Sequence, residues 1–184
     1  MSSDLAVDLF SVNQRFANAS RERSPIHMPK RPVYIGIGSN KNDPPAMVRR
    51  ALDELKNSVA FQNFRVSQLI WTDPVGPIEQ DAFLNGVVAA STDWEPECIL
   101  ALLHAIESSM GRNRAVEQRW GPRAIDLDLL MLGDVVMSNS SIQIPHPEME
   151  KRRFVLAPLA ELAPHAVHPV NKQSVADMLE ALCD

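Results

Sequence analysis

The chain has 184 residues, 45% of them hydrophobic, enough to bury one substantial core and too few to suggest several domains. Its net charge of −5 and pI near 5.5 argue against a general nucleic-acid binder, whose basic residues would spread over a face. No apolar run approaches membrane-spanning length, and Asp4 and Asp8 weigh against a mitochondrial transit peptide, so the cytosol is the expected compartment. Cys98 and Cys183 lack metal-type spacing and read as free thiols, although a bridge between them stays open.

Residues 1–31 read as an N-terminal extension, a short helix or disordered tail followed by a Pro-containing, charged linker. Residues 32–184 form the compact domain. Val33 to Gly38 is a strand ending in a Ser39-Asn40 turn. Pro44 to about Asn57 has helical spacing through Met47, Leu52 and Leu55, with Asp43 as N-cap. Phe61 to Thr72 alternates as one strand, and a turn-rich loop follows at Asp73-Pro74-Val75-Gly76-Pro77. Phe83 to Ser91 is a further strand. Pro96 to Met110 is an amphipathic helix with its stripe at Ile99, Leu102, Leu103, Ile106 and Met110, stopped by Gly111. After an arginine-bearing loop comes a strand through Asp126 and Asp128 that ends at Gly133-Asp134. Ile142 to Pro147 leads into a turn or short helix. Phe154 to Leu162 is apolar and reads as a short strand or helical turn, and Val175 to Leu182 is a closing amphipathic helix. The order strand–helix–strand–strand–helix–strand is the ferredoxin-like split βαβ pattern. The expected class is α+β, an antiparallel sheet with helices packed on one face.

The chemistry concentrates in Arg119-Trp120-Gly121-Pro122-Arg123-Ala124-Ile125-Asp126-Leu127-Asp128-Leu129-Leu130. On a strand the side chains at i and i+2 leave the same face, so Asp126 and Asp128 stand side by side. Two bare carboxylates there repel unless one is protonated or a cation lies between them. Taken alone, such a pair is more often a solvated face or an arginine-paired one. Here Ile125, Leu127, Leu129 and Met131 fall on one face, and Ala124, Leu130 and Leu132 flank the acids on the other. The strand is therefore buried, and buried charges must be paired or ligated. Hard carboxylate oxygens suit Mg²⁺, which completes its shell with water and phosphate. Arg112, Arg114, Arg119 and Arg123 supply forks that fit phosphate oxygens. Gly36-Ile37-Gly38 lacks the third glycine of a dinucleotide fingerprint and reads as a strand-end turn. No Walker-type loop exists.

These pieces, together with Gly38-Ser39-Asn40, Thr72-Asp73-Pro74-Val75-Gly76-Pro77, Phe83-Leu84-Asn85, Gly111-Arg112-Asn113-Arg114 and Ile144-Pro145-His146-Pro147 with Arg152 to Leu159, resemble the 6-hydroxymethyl-7,8-dihydropterin pyrophosphokinases of folate biosynthesis over about residues 33–182. The resemblance implies a Mg-dependent transfer of pyrophosphate from ATP to the pterin alcohol, with release of AMP. It implies that Asp126 and Asp128 hold two Mg²⁺ ions and that Arg112 and Arg123 act with them in catalysis. Glu107, Arg112, Arg114, Arg123, His146 and Arg152 would attend ATP. Thr72, Val75, Phe83, Asn85, Trp120 and Phe154 would bind the pterin, with Phe83 and Phe154 on its two faces and Asn85 at its amide edge. Without the resemblance, Val75, Phe83 and Phe154 read as core residues and His146 as a rigid turn residue. Loops 73–82 and 112–122 are expected to fold over both substrates. Asp73, His104 and Pro147 depart from the family pattern, and the 112–119 loop is one residue longer than in some relatives. The expected partners are the two substrates, with neither nucleic acid nor membrane; a monomer is the default, although oligomeric state stays open. The alternatives are a metal-dependent nucleotidyl- or glycosyltransferase and a non-catalytic split-βαβ module. The latter would want a basic, aromatic sheet face.

Overall fold

Alternating apolar residues build the centre of the molecule in the computed structural model, which describes residues 29–112 and 121–182. The centre is a five-stranded sheet of β1 (Arg31–Ser39), β2 (Gln62–Val66), β3 (Ile70–Thr72), β4 (Phe83–Thr92) and β5 (Asp126–Leu132). Its order is β2–β4–β1–β5, with β3 also on β4 and every pair antiparallel. Helices α1 (Pro44–Asn57) and α2 (Pro96–Ser109) make the two crossovers, which gives the split βαβ arrangement expected from element order. Asp43 caps α1 by accepting from the Ala46 N–H at 3.1 Å, and Gly111 follows α2 at φ +89°, a left-handed conformation that suits glycine.

Helices cover both faces, which broadens the one-face expectation. On the first face Val33, Ile35, Ile37, Val88, Leu127 and Leu129 pack against Val48, Ala51 and Leu55 of α1 and Ile99, Leu102, Leu103 and Ile106 of α2. On the second, Val87, Leu130 and Met131 meet α3 (Arg153–Leu162) and α4 (Val175–Ala181) through Val155, Leu156, Leu159, Val175 and Met178. A short apolar run such as 154–162 fits either period; the structure makes it a helix of 10 residues, with Pro158 inside, entered through a 3₁₀ turn at Met149–Lys151.

Two strands depart from simple alternation. In β5, Leu129 pairs with Ile35 but Met131 pairs with Tyr34, so Leu130 is the extra residue of a bulge. Past it the side-chain parity flips. Met131 therefore joins the second core and Leu132 the first, the reverse of the strict alternation expected. The stretch 61–72 is likewise two strands. Between them the Ser67 N–H donates to the Val87 carbonyl at 3.0 Å and the Ser67 hydroxyl accepts from the Val87 N–H at 2.9 Å. The side chain thus substitutes for a ladder partner while the backbone bends. The sequence pattern also shows no sign of the small hairpin β6 (Met137–Ser138) and β7 (Gln143–Ile144). It is closed by the Asn139 carboxamide oxygen, which accepts from the Ser141 and Ile142 N–H groups at 2.8 and 3.0 Å.

Among the described residues no helix is long and apolar enough to cross a membrane, and Cys98 is a half-buried free thiol. Cys183 and the extension at 1–28 lie outside them.

A capping box closes the first turn of α4: the Ser174 hydroxyl accepts from the Asp177 N–H at 3.1 Å, and the Asp177 carboxylate accepts from the Ser174 N–H at 3.3 Å. Ser174→Ala is expected to lower stability by about 1 kcal/mol in urea unfolding, with an unchanged m-value. A loss below a few tenths would show that the cap contributes nothing.

Candidate active site

The register of three strands decides what can meet. Gly36 lies between Val87 of β4 and Asp128 of β5, and Gly38 lies between Asn85 and Asp126. Directly opposed residues project to the same face, so Asn85, Asp126 and Asp128 surround two positions that carry no side chain. A cleft of about 750 Å³, partly open to solvent, stands over them, and Thr72, Asp73, Val75, Gln80, Phe83, Arg123, Arg152 and Phe154 complete its walls. Gly36 and Gly38 are therefore the floor of the site and not a strand-end turn; β1 continues through Ser39.

On one side stands a chain of buried charges. Glu107, 1% exposed, accepts from the Leu127 N–H at 2.8 Å and pairs with the Arg112 guanidinium. Arg112 also pairs with Asp126, whose other oxygen pairs with Arg123. Burial alone would raise the Asp126 carboxyl. The charges and hydrogen bonds of Arg123 and Arg112 outweigh it and hold the group below the usual carboxylate range. Asp128 is pushed up to about 7, chiefly by burial and then by the charge of Asp126, against the pull of Arg152. His146 accepts from the Glu148 N–H at Nδ1 (3.2 Å) and turns Nε2 toward Asp128 at 3.8 Å. Burial and then the charge of Arg152 keep it below the ordinary histidine value. The two acids thus share one face as expected, although Asp126 is held by arginines and only Asp128 is left strongly in need of a proton or a cation.

Across the glycines stands the second wall. The Asn85 amide donates to the Thr72 hydroxyl at 2.8 Å. Phe83 and Phe154 both line the cleft, so neither is the pure core residue that pattern alone suggested. The Arg152 guanidinium lies 5.8 Å from the Phe154 ring centroid, within cation–π reach. Val75 is 56% exposed at the rim. Glu107 is among the residues expected at ATP, but it sits behind the cleft wall, where it orients Arg112 and the start of β5. Arg114 and Trp120 lie outside the described residues.

Asn40, read as part of a turn, instead ties the two sides together. Its side-chain oxygen accepts from the Arg123 N–H at 2.8 Å, and its amide donates to the Gln80 side chain and the Asp81 carbonyl, both at 3.0 Å. Ser39 adds a hydroxyl bond to the Ala124 carbonyl at 2.7 Å. Asn40 and Gln80 were missed because a polar residue in a turn has the same sequence signature whether solvated or clamped.

Among the described residues no group of three or more His, Cys, Asp or Glu side chains is placed to hold a metal. Two carboxylates are nevertheless the set expected for Mg²⁺, which takes few protein ligands and fills its shell with water and phosphate oxygens. The raised Asp128, beside a charged Asp126, meets that demand.

The family model for 7,8-dihydro-6-hydroxymethylpterin-pyrophosphokinase matches residues 34–164. The chain is 42% identical over 132 residues to a Pseudomonas aeruginosa protein named 2-amino-4-hydroxy-6-hydroxymethyldihydropteridine pyrophosphokinase, covering 72% of this chain and 80% of that one. It is 42% identical over 130 residues to the Bacillus subtilis protein of the same name, covering 71% and 77%. A crystal structure of Plasmodium falciparum HPPK-DHPS aligns at TM-score 0.66 and 13% identity; the match covers 85% of this chain but only 46% of that longer one, and it shows the fold alone.

The raised Asp128 has a signed consequence. Between the ordinary carboxylate value and about 7, the folded state binds more protons than the unfolded one, so this group's contribution to stability falls as pH rises through that window. The two histidines held below their ordinary value, His146 and His168, act in the opposite sense. In metal-free buffer, Asp128→Asn is therefore expected to gain melting temperature relative to the parent protein between pH 5.5 and 8. Parallel curves for the two proteins would exclude the raised carboxyl.

Proposed function

We propose, because this chain belongs to the 7,8-dihydro-6-hydroxymethylpterin-pyrophosphokinase family, that it transfers the pyrophosphoryl group of ATP to the alcohol of 6-hydroxymethyl-7,8-dihydropterin in folate synthesis, releasing AMP. One observation carries the residue-level reading. An amide-and-aromatic wall on β4 and an acid-and-arginine wall on β5 face each other across two glycines in a single cleft.

In this reading the pterin ring lies between Phe83 and Phe154, where stacking contributes on the order of 0.5–1.5 kcal/mol per contact beyond area burial. Asn85, fixed by Thr72, presents a planar amide to the heterocycle's amide–amine edge, and the backbone near Thr72 and Val75 continues that edge. Arg112, Arg123 and Arg152 take the phosphates, with His146 beside Asp128; Arg114 and Trp120 complete the proposed set. An entering triphosphate competes with Asp126 for Arg112 and Arg123; Glu107 already orients the Arg112 guanidinium, and Asn40 anchors the backbone of Arg123. Asp126 and Asp128 would hold Mg²⁺, two ions in the full proposal, which would offset the phosphate charge. The pterin hydroxymethyl oxygen attacks the β-phosphorus in line with departing AMP. Positioning and electrostatics supply the rate, and a loose phosphoryl transition state needs no strong base.

A product balance decides the reaction. With ATP, Mg²⁺ and the pterin alcohol, one AMP is expected per pterin diphosphate formed. Pyrophosphate or a nucleoside diphosphate as coproduct would instead indicate nucleotidyl, glycosyl or simple phosphoryl transfer. Replacing Asp126 or Asp128 by Ala is expected to leave less than a tenth of the parent turnover in saturating Mg²⁺, with the circular dichroism spectrum of a folded protein. Retention of more than that fraction would remove both carboxylates from the metal role.

A further inference from the structure

We infer that Gly38 is a positioning residue. By lacking a Cβ it seats the Asn85 amide, and so sets recognition of the heterocyclic substrate. The inference rests on the proposed placement of that heterocycle at Asn85.

Gly38 does not need to be glycine for its backbone. Its φ is not among the positive values, which belong to Gly76, Gly111 and Gly133, and any residue adopts the conformation of a mid-strand position. What it supplies is space. A Cβ built on Gly38 would lie 2.5 Å from the Asn85 side-chain oxygen and 3.9 Å from Cδ1 of Phe83. The amide oxygen therefore occupies the volume that a side chain at 38 would claim. Gly36, two residues earlier on the same face, is under no such constraint, because the nearest atoms to its Cβ would be those of the Leu130 side chain, at 3.5 Å or more.

The geometry says which group would give way. Asn85 is 9% exposed, and its nitrogen is anchored to the Thr72 hydroxyl at 2.8 Å. A methyl at 38 pushes on the opposite end of that same carboxamide. The backbone stays where the β1–β4 and β1–β5 ladders hold it, so the amide rotates and the Thr72 bond breaks. A flat heterocycle reads an amide only when donor and acceptor lie in the plane of its edge. Rotation would therefore weaken substrate binding without unfolding the protein. Gly38 also pairs with Asp126 on its other side, but no Asp126 atom is among the three nearest neighbours of the added Cβ, so the acid wall should be spared.

The test is a double-mutant cycle on the full chain, read by calorimetry with the pterin alcohol in the presence of Mg²⁺ and a non-hydrolysable ATP analogue, and with the analogue alone. Gly38→Ala is expected to weaken pterin binding at least tenfold and analogue binding by less than threefold. In an Asn85→Ala background the same change is expected to add less than threefold, because the group it displaces is gone. If Asn85→Ala weakens pterin binding but Gly38→Ala does not, or if the two losses multiply, the role of Gly38 is overturned. If Asn85→Ala itself leaves pterin binding intact, the placement of the heterocycle fails first, and this inference falls with it. Should Gly38→Ala melt too low for titration, melting temperature reads the same contact. The double variant is expected to match Asn85→Ala alone, and a double variant as unstable as Gly38→Ala overturns the inference.

Discussion

A line of alternating charges, Glu107–Arg112–Asp126–Arg123, is the constraint on which the site depends. Its two acids and two guanidiniums cancel, so the group can be buried, whereas removing any one member strands a charge in a poorly solvated place. Each link also fixes a piece of backbone or side chain. Glu107 holds the first residues of β5 through the Leu127 N–H, Asp126 aims both arginines, and Asn40 anchors the segment that carries Arg123. Asp128 stands just beyond the neutral line, partly buried and, among the described residues, with no guanidinium paired to it, so burial first and the charge of Asp126 second push its carboxyl up to about 7. Phosphate affinity and cation affinity thus arise from one electrostatic arrangement.

The sheet turns that arrangement into a two-sided cleft. β1 is the central strand, and the residues it offers on the second face near the cleft are glycines, so β4 and β5 look at each other across an open lane. The bulge at Leu130 serves the same end. It lets Asp126 and Asp128 face the cleft while both Leu130 and Met131 turn into the core under α3. The helix α3 then places Phe154 on the cleft wall at its first turn while burying Val155, Leu156 and Leu159 behind it. A single short helix is therefore both core and substrate wall.

Much of this was legible in the chain. The ends of α1 and α2 follow from Asp43 and Gly111, whose cap chemistry is local. The pairing of Asp126 with Asp128 follows from strand periodicity, and their need for compensation follows from the apolar residues on both sides. The specific string around Arg123 identifies the chemistry more sharply than any pattern of burial. The misreadings have a common origin. Gly36 and Gly38 read as a turn because glycine marks turns far more often than it marks the floor of a pocket. Asn40 read as a solvated turn residue because nothing local distinguishes the two. The break at Ser67 and the bulge at Leu130 preserve apolar composition while changing which face each residue takes.

The sequence by itself determined the strand–helix–strand–strand–helix–strand order of the central unit, the same-face placement of the two aspartates, and the family of reactions to which its signature belongs, because those depend on interactions within a few residues. Only the tertiary structure decided that Phe83, Asn85 and Phe154 would confront Asp126 and Asp128 in one cleft. It also decided that two arginines would already grip Asp126, and that a missing Cβ on β1 would leave room for an amide. The shared cleft and the room for the amide depend on strand register and on contacts between residues about 40 to 90 positions apart in the chain, which no local pattern encodes. The arginines lie only 14 and 3 positions from Asp126, but the Asn40 and Glu107 bonds that hold them in place do not follow from that spacing.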